Sequence, residues 1–372
     1  MFTQTVYRMR KKIVFYYRGY PFFVALGKAL NADFYKAPAV TNSMTIKPFK
    51  LILSSLTLPK TYDYYFCEGT YMYPSLAKKA GIIKSKIITI CGDATFYYIK
   101  GNLMRSIVRK AYINLLKEVD GFVCASRMTE NHVKAIFPNK KTIVAYSYIN
   151  EKLKKELYKK RNRSPAINSH RLLYIGRPDF YYKGIDLLLE AFEMVKKEVP
   201  DAELNIVNGE WNKKKMDWVV KYTNSFVPNA IQKNMPNKVL ELFKDKRFGV
   251  NYLGRVDNLA DPIKNASLFI TLGRGDPFPA TGIEAMSGGL PTMVSEETGT
   301  KDFIKKIDTR LIVPLNSKEI CKRIIWYFSL KEKEKLKLSK KSIKIAFSKE
   351  LNKKYILNKF VKEFNEMLNE IG

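Results

Sequence analysis

The sequence has 372 residues, more than one hydrophobic core usually organises, so we expect two domains. Its residues are 46% hydrophobic and 27% charged, a composition that supports substantial cores and excludes a disordered or fibrous protein. Lys and Arg number 66 against 35 Asp and Glu, which leaves a net charge of +31. This excess predicts a polyanionic neighbour: nucleic acid, an anionic membrane surface or a phosphorylated substrate.

The cysteines and histidines exclude several kinds of site. The four cysteines lie far apart, without a CxxC spacing: Cys67, Cys91, Cys124 and Cys321. This pattern argues against a disulfide scaffold or a structural zinc site and favours a reducing compartment. With only His132 and His170, a His-based metal centre or catalytic triad is disfavoured. No apolar run approaches the roughly 18 residues of a membrane span. We therefore expect a soluble cytoplasmic protein, with peripheral contact at the inner face of a membrane left open.

The first 150 residues alternate between β-rich and helical patterns. Strands are predicted at Lys12–Tyr17, Asp63–Cys67, Lys86–Cys91, Gly121–Ala125 and Thr142–Tyr146. Helices are predicted near Tyr20–Leu30, Tyr71–Ala80, Asn102–Glu118 and Met128–Phe137. Such alternation is typical of a parallel sheet with helices on both faces. Residues 1–150 are therefore predicted to form one doubly wound, Rossmann-like domain.

A second alternating series follows a polar, basic segment. Residues 151–170 contain Pro165 and suit a linker or an exposed helix. Strands are then predicted in RLLYIG, AELNIVNG, FGVNYLG, SLFITLG and LPTMVS, and residues 211–247 are interpreted as a charged helical insertion on the surface. Residues 171–345 are predicted to form a second Rossmann-like domain. An apolar stripe from Leu357 to Leu368 predicts that the final helix, in residues 346–372, docks on another part of the protein.

Doubly wound sheets bind ligands at the carboxyl ends of their strands, so the strand-to-helix turns are the candidate sites. Arg177 and Lys183 flank the turn that leaves strand RLLYIG, at the start of an amphipathic helix. Two cations beside a helix N-terminus can bind a diphosphate, because the helix dipole and free N–H groups add to their charge. A pair of solvated basic residues is the alternative interpretation.

The segment TLGRGDPFPATGIEAMSGGLP, residues 271–291, is a second candidate. Asp276 and Glu284 lie eight residues apart, across a strand–loop–helix turn. Carboxylates accept hydrogen bonds from hydroxyls and helix-terminal N–H groups bind phosphate. A ribose, a sugar ring and a diphosphate need this mixture of groups. An ordinary turn punctuated by Pro277, Pro279 and Gly288 is the alternative.

These motifs resemble the nucleotide-binding half of the retaining glycosyltransferases of family 4. The resemblance is carried by IGRPDFYYKGIDLLLEAF, AELNIVNG, VNYLGRV and GDPFPATGIEAMSGGLPTMV, in the expected order from Arg171 to about residue 306. In the first half it covers only GFVCASRMTENHV and the strand–helix alternation. It implies the GT-B fold, in which two Rossmann-like domains face a central cleft and the C-terminal helix returns to the N-terminal domain. The first domain would then bind the acceptor and the second the nucleotide-sugar.

The resemblance assigns roles by position. The family's Arg/Lys pair on the donor diphosphate falls on Arg177 and Lys183. The second acidic residue of its E-x7-E motif, a ribose contact, falls on Glu284. The first falls on Asp276, where the family usually has Glu. The Asp side chain is one methylene shorter, so it reaches less far toward the donor-sugar hydroxyls. Thr281 and Gly282 would offer backbone N–H groups to the diphosphate. Gly299 and Asp302 resemble the family's later glycine-rich turn, with Asp302 where Glu is common.

Two further positions depart from the family pattern. Family members often carry His followed by Asp after the fourth strand of the first domain, whereas this chain reads Ile90-Cys91-Gly92-Asp93. Asp93 is a candidate replacement that touches the sugar or acceptor, and a turn-capping Asp is the alternative. Gly19 corresponds in place to the glycine loop that approaches the donor phosphate.

The resemblance implies retention of anomeric configuration, without an obligatory divalent metal or other cofactor. The chain has no Asp-x-Asp motif, and Arg177, Lys183 and helix-terminal N–H groups would stabilise the departing diphosphate instead. The leading hypothesis is transfer from a nucleotide-sugar donor to a glycan or lipid-linked acceptor at a membrane surface. The same chemistry on a protein or nucleic acid is a second hypothesis, and a non-catalytic nucleic-acid-binding protein is a third. A dinucleotide oxidoreductase is disfavoured because GRGDPFP lacks the third glycine of GxGxxG.

The net positive charge does not decide which kind of acceptor the first domain binds. The helical pattern Asn102–Glu118 carries an apolar side and a basic side. It could lie on anionic lipid, or it could simply pack on the core with a solvated basic face. The tyrosines crowded into the first domain suit a sugar or lipid-phosphate acceptor, and equally single-stranded nucleic acid.

Overall fold

The alternation predicted from the sequence is confirmed in a computed structural model, which describes residues 11–37, 48–161 and 166–372 and, for residues 48–50, the backbone only. The part of the predicted linker at residues 162–165, with Pro165, lies outside the described residues. Two parallel sheets of six strands are each flanked by helices. The predicted fold class, two doubly wound layers with a returning C-terminal helix, is thereby confirmed. Among the described helices, none is long and apolar enough to cross a bilayer.

The first sheet is built from the N-terminal part of the chain. Its strands are β1 (Ile13–Tyr17), β2 (Asp33–Lys36), β3 (Tyr64–Cys67), β4 (Lys86–Cys91), β5 (Gly121–Cys124) and β6 (Lys141–Val144). The helices of this half are α1 (Pro21–Ala29), α2 (Pro48–Leu56), α3 (Met72–Lys79), α4 (Thr95–Lys100), α5 (Ser106–Leu116) and α6 (Arg127–Ile136). The strand order is β2-β1-β3-β4-β5-β6, with every pair parallel.

Alternating side chains of the first sheet bury its two faces in separate cores, as strand geometry requires. Tyr16, Tyr65 and Phe122 point to the face that packs with α3, α5 and α6. Phe66 and Val123 point to the other face, which α1 covers. The same face receives α16 (Lys353–Ile371), whose buried side chains are Ile356, Phe360, Phe364, Met367 and Leu368. The final helix therefore covers the part of this sheet face that α1 does not cover.

The second sheet follows a helix that the sequence had placed in the linker. Its strands are β7 (Arg171–Ile175), β8 (Glu203–Val207), β9 (Val250–Tyr252), β10 (Leu268–Thr271), β11 (Thr292–Ser295) and β12 (Ile312–Val313), in the order β12-β11-β10-β7-β8-β9. The helices of this half are α7 (Glu151–Lys160), α8 (Ile185–Glu198), α9 (Lys213–Phe226), α10 (Met235–Lys244), α11 (Ala260–Asn265), α12 (Ala280–Ser287), α13 (Lys301–Ile304), α14 (Ser317–Ser329) and α15 (Glu332–Ala346).

Helix α7 belongs structurally to the second half. Leu157 is buried in the core beneath α11 and α12. Lys154 is buried too, where it pairs with Glu151 at 2.9 Å and donates to the carbonyls of Ala346 and Leu351 at 3.4 Å. These contacts tie residues 151–160 to the point where the chain turns back toward the first sheet. The domain boundaries themselves stay a prediction.

The structure differs from the sequence interpretation in several places. Among the elements that were not anticipated are strands β2 and β12 and helices α2 and α4, all of them short. The segment 211–247 is not a purely surface insertion: Met216, Val219 and Val239 bury one side of α9 and α10 in the second core. Helix α5 packs on the first core through buried Tyr112, but its apolar side is not wholly covered, since Ile107 is 76% exposed.

Candidate active site between the two sheets

The candidate site forms where turns at the carboxyl ends of strands from both sheets meet, as expected for parallel α/β layers. The turn after β7 carries Arg177 to Gly184, and the turn after β10 carries Gly273 to Pro279. From the first sheet, the turn after β4 contributes Asp93.

A buried ion pair joins the first two turns. Lys183 Nζ lies 2.6 Å from Asp276 Oδ2, and the Asp276 side chain is only 4% exposed. Tyr182 donates its hydroxyl to the other carboxylate oxygen, Oδ1, at 3.3 Å. Burial raises the pKa of Tyr182 well above its usual value, and the charge of Asp276 adds to this, so the phenol stays protonated. A carboxylate this buried needs both partners, because an unpaired one would cost several kcal/mol, about 3–5.

A second ion pair joins the turn after β10 to the start of α8. Arg274 contacts Asp186 with two parallel bonds of 2.8 Å and donates to the carbonyl of Tyr181 at 2.6 Å. Burial raises the pKa of Asp186, while the hydrogen bonds and charge of Arg274 oppose that rise. The two-pronged geometry holds the turn after β7 in one position relative to the turn after β10.

Two glycines permit the turns after β7 and β11 to approach the end of β10 and the turn that follows it. Gly184 has φ +67°, and a Cβ there would lie 2.0 Å from the carbonyl oxygen of Leu272. At Gly299 a Cβ would lie 1.7 Å from the carbonyl oxygen of Pro277 and 2.5 Å from Ser126 Oγ of the first domain. Any side chain at either position would push the turns apart.

Helix α12 carries the second acidic candidate. It begins at Ala280, directly after the Asp276 turn, so Thr281 and Gly282 lie in its first turn. The amide of Gly282 donates to the carbonyl of Pro279 at 3.2 Å. Burial raises the pKa of the Glu284 carboxyl, and within the described part of the chain no side chain pairs with it. Glu284, Thr281 and Gly282 do not line the cavity between the sheets described next.

A cavity of about 300 Å³ lies between the first sheet and the turn after β7. Asp93 and Arg177 line it from opposite sides, together with Tyr182. One oxygen of Asp93 accepts from the amide of Thr95 at 2.9 Å, so this exposed residue caps the turn that leads from β4 into α4 while lining the cavity. The two interpretations of Asp93 are therefore compatible. Arg177 pairs with Asp179 at 3.0 Å and keeps 69% of its side chain exposed.

Arg177 also borders a second cavity of about 780 Å³, which the sequence interpretation missed. It lies at the ends of β8 and β9, and its other lining residues are Asn208, Gly209, Glu210, Trp211, Asn212, Tyr252, Arg255 and Val256. Trp211 is fixed by hydrogen bonds from its indole N–H to the carbonyls of Gly176 and Asn208, at 3.1 and 3.0 Å. The sequence signal for this cavity is the Asn-Gly turn after strand AELNIV, because Asn208 and Gly209 both line it. A flat aromatic ligand group fits such a mixed wall.

Gly19 lies across the cleft, at the end of β1, in a turn whose amides are already engaged. The backbone N–H groups of Arg18 and Gly19 donate to Glu68 Oε2 at 2.7 and 2.9 Å, and that of Tyr20 donates to Oε1 at 2.8 Å. Glu68 is 5% exposed. Three converging amides are a strong anion site, and here an internal carboxylate occupies it. The predicted approach of Gly19 to a donor phosphate stays a prediction.

The two halves touch directly beside the site. His132 Nε2 lies 3.0 Å from Glu297 Oε2, and the Tyr146 hydroxyl donates to Asp302 at 3.2 Å. Burial and His132 act in opposite directions on Glu297, and the net effect is a lowered pKa for this carboxyl. A Cβ at Gly275 would lie 2.4 Å from Tyr97. The turns after β10 and β11 therefore pack against α4, α6 and the end of β6.

No cluster of three or more His, Cys, Asp or Glu side chains suited to a metal ion occurs in residues 11–37, 48–161 and 166–372. Whether the reaction depends on a divalent cation stays a prediction of the sequence.

The comparisons with known proteins identify one family. The model of the glycosyl transferases group 1 matches residues 154–345, more than half of the chain. Mannosylfructose-phosphate synthase of Agrobacterium fabrum is 31% identical over 117 residues, and an uncharacterised glycosyltransferase of Haemophilus influenzae is 22% identical over 160 residues. These matches cover 32% and 43% of this chain, and 23% and 39% of the relatives.

Solved structures share the whole architecture at low identity. Sucrose-phosphate synthase of Thermosynechococcus elongatus has a TM-score of 0.68 at 12% identity, covering 97% of this chain and all of that one. HepE of Anabaena, in its complex with UDP-glucose, has a TM-score of 0.61 at 15% identity, covering 96% of this chain and 99% of that one. At such identities the likeness shows the fold alone.

The amide cluster at Gly19 yields a stability prediction. Glu68→Ala leaves three backbone donors without their carboxylate, which we expect to lower the free energy of unfolding by at least about 2 kcal/mol. Glu68→Gln, which keeps one acceptor oxygen, should lose less. Glu366→Ala, at a side chain that is 57% exposed, is the matched control and should change little. Chemical denaturation measures all three; equal stability of Glu68→Ala and the control would show that the turn does not depend on Glu68.

Proposed function

This chain belongs to the glycosyl transferases group 1, and we propose that it is a retaining, family 4-type enzyme that moves a sugar from a nucleoside-diphosphate-sugar to a hydroxyl acceptor. The observation that carries the proposal is the Lys183–Asp276 pair. It fixes a partly exposed lysine within the matched residues, and this is the lysine that the resemblance assigns to the donor diphosphate.

The proposed diphosphate site combines three sources of positive potential. Lys183 donates to Asp276 with one of its three N–H groups, and its side chain remains 24% exposed, so further donors can reach a ligand. Arg177, on the same turn, is mostly exposed and can swing from Asp179 to a phosphate. The first turn of α12, at Thr281 and Gly282, adds the positive end of a helix dipole.

The nucleoside would extend from this site toward the ends of β8 and β9. The cavity bordered by Arg177, Trp211 and Arg255 has the flat, mixed lining that a nucleobase needs. Glu284 is assigned to the ribose by its place in the D-x7-E motif. Its partly buried carboxylate, unpaired within the described residues, is suited to accept hydrogen bonds from two neighbouring hydroxyls.

Catalysis would rest on electrostatic stabilisation of the departing diphosphate. Asp276 holds the Lys183 charge in place before the bond breaks, and a preorganised donor of this kind supplies about 3–4 kcal/mol. Arg177, on the same turn, would add its charge after moving from Asp179 to the phosphate. Asp93 lines the cavity opposite Arg177 and would touch the donor sugar or the acceptor hydroxyl. Retention implies that the acceptor enters on the face the diphosphate leaves. We propose that no divalent metal is required.

On the acceptor side, we propose a lipid-linked substrate at an anionic membrane surface. Helices α2 and α5 both pack against α3, on one face of the first sheet. They present exposed aliphatic side chains: Ile52, Leu53 and Leu56 of α2 and Ile107 of α5. The net charge of +31 favours anionic lipid headgroups around them.

Donor binding is tested by thermal shift against UDP-, GDP-, ADP- and TDP-sugars. We expect one nucleotide to raise the melting temperature by several degrees, because ligand binding stabilises only the folded state. Lys183→Ala and Glu284→Ala should lose this rise, and Lys340→Ala, an exposed lysine of α15, should keep it. EDTA should leave the rise and the turnover unchanged. If no donor shifts the wild-type protein, the donor proposal fails; loss on EDTA treatment would overturn metal independence alone.

Membrane contact is tested by cosedimentation with vesicles of phosphatidylglycerol and phosphatidylcholine, and with phosphatidylcholine alone. We expect binding to the anionic vesicles, reduced in an Ile107→Glu, Leu53→Glu double variant because charges replace the inserting side chains. Phe248→Glu, another exposed apolar position at 44%, is the control and should bind like wild type. Equal sedimentation of all three proteins would contradict the proposed surface.

A further inference from the structure

Helix α9 carries a row of aromatic side chains that faces the first domain. Trp218, Tyr222 and Phe226 follow one another at four-residue spacing, which places them on one side of the helix. The Trp218 and Tyr222 rings are stacked, with centroids 5.0 Å apart and 6° between their planes. Tyr222 meets Phe226 edge-on at 5.3 Å. We call these three residues the aromatic wall.

The core of the second domain does not account for this row. Met216, Val219 and Val220 are the side chains through which α9 packs on that core. Phe226 instead joins the core of the first domain, where its ring lies 5.7 Å from that of Tyr98. Trp218 belongs to neither core and is 43% exposed.

Contact between the domains accounts for Phe226 but not for Trp218. The first domain meets the last turn of α9: the Arg105 amide donates to the carbonyl of Phe226 at 3.2 Å, and its Nε donates to that of Ser225 at 2.9 Å. Trp218 lies two turns earlier. Its ring is packed on one side by Tyr222 and is approached by Lys215 Nζ at 4.8 Å from the centroid. The other face of the Trp218 indole is therefore approached by the Lys215 side chain, and the indole stays accessible to a ligand.

The aromatic wall forms one side of the 300 Å³ cavity that also contains Asp93 and Arg177. Asp93 and Thr95 form the side that belongs to the first domain, and Arg177 and Asp179 form the side that leads to the donor turn. Carboxylates accept hydrogen bonds from hydroxyls, and aromatic rings pack against the C–H faces of a ring that carries them. A cavity lined by both hydroxyl-binding groups and aromatic rings matches a sugar.

We propose that the aromatic wall is an acceptor subsite and that it binds a sugar ring, so the acceptor hydroxyl belongs to a saccharide held between both domains. The inference rests on the proposed glycosyl transfer and deepens it, because it assigns part of acceptor recognition to the second domain. A free sugar and the sugar headgroup of a lipid-linked acceptor present the same ring, and the experiment separates these two sources.

The probes are glucose, mannose, galactose, fructose and N-acetylglucosamine, and the octyl glycosides of glucose and mannose. With the donor found by thermal shift, nucleoside diphosphate release is measured for each probe. Acrylamide quenching of tryptophan fluorescence is recorded in parallel without donor. Of the three tryptophans, Trp218 is exposed, Trp326 is partly exposed and Trp211 is 3% exposed. A bound sugar should protect Trp218 from the quencher, and this protection should be lost in Trp218→Phe.

We expect at least one probe to accelerate release and protect the fluorescence. Trp218→Ala should raise the KM for that probe about tenfold, the usual loss on truncating an aromatic anchor, and leave the donor KM and donor-induced thermal shift unchanged. Trp218→Phe should recover part of the loss, and Phe248→Ala should behave like wild type. Response to octyl glycosides alone would identify a lipid-linked headgroup, and response to the free sugars would identify a soluble acceptor.

Two results would overturn the proposal. One is normal donor binding with no response to any probe. The other is a Trp218→Ala variant whose acceptor KM is unchanged, or whose donor and acceptor KM rise together. Absence of a donor-induced thermal shift in the wild-type protein would instead count against the glycosyl transfer on which the proposal rests.

Discussion

The contact between Lys183 and Asp276 is the interaction on which the site depends. Asp276 is almost fully buried, and a buried carboxylate is tolerated only with a counter-charge and hydrogen-bond donors. Lys183 and Tyr182 provide these, and in doing so they join the turn after β7 to the turn after β10. Arg274 repeats the arrangement with Asp186. The two turns that surround the proposed diphosphate therefore cannot move independently.

The first domain packs on the turn after β10 and on the segment that follows β11. Tyr97 packs against Gly275, His132 pairs with Glu297, and Tyr146 donates to Asp302. Each contact brings a first-domain residue to a turn that carries a candidate donor residue or its neighbour. Glycosyl transfer benefits from such an arrangement, because closure of both domains around a donor excludes water from the reacting bond. The aromatic wall of α9 adds a second region of contact, which ends on Tyr98 and Arg105.

The sequence predicted the regular parts of this protein well and its local pairings poorly. Strands such as Arg171–Ile175 and Lys86–Cys91 are continuous apolar runs between turns, so period and burial identify them. Arg177, Lys183, Asp276 and Glu284 could be selected because they follow such strands. That Lys183 contacts Asp276 could not be predicted, because it depends on how closely two turns approach, and this is decided at Gly184 by the backbone of Leu272.

Residues with no local signature were missed for the same reason. Glu68 follows β3 but acts on the turn after β1, and nothing in its own segment indicates three amides nearby. Trp218 and Tyr222 lie four residues apart, a spacing that puts two side chains on one side of a helix. The segment was nevertheless interpreted as a charged surface insertion, because lysines surround these two residues. The buried side of α9 and its contact with the first domain depend on tertiary packing, which charge and period do not report.

The most direct test of the central claim is the anomeric configuration of the product. The protein is incubated with an α-linked nucleotide-sugar and the saccharide probes, and the new glycosidic bond is examined by proton NMR as the nucleoside diphosphate is released. The account predicts an α-linked product and loss of its formation in Lys183→Ala. A β-linked product would contradict retention, and release no faster than in a protein-free control with every donor would contradict glycosyl transfer at this site.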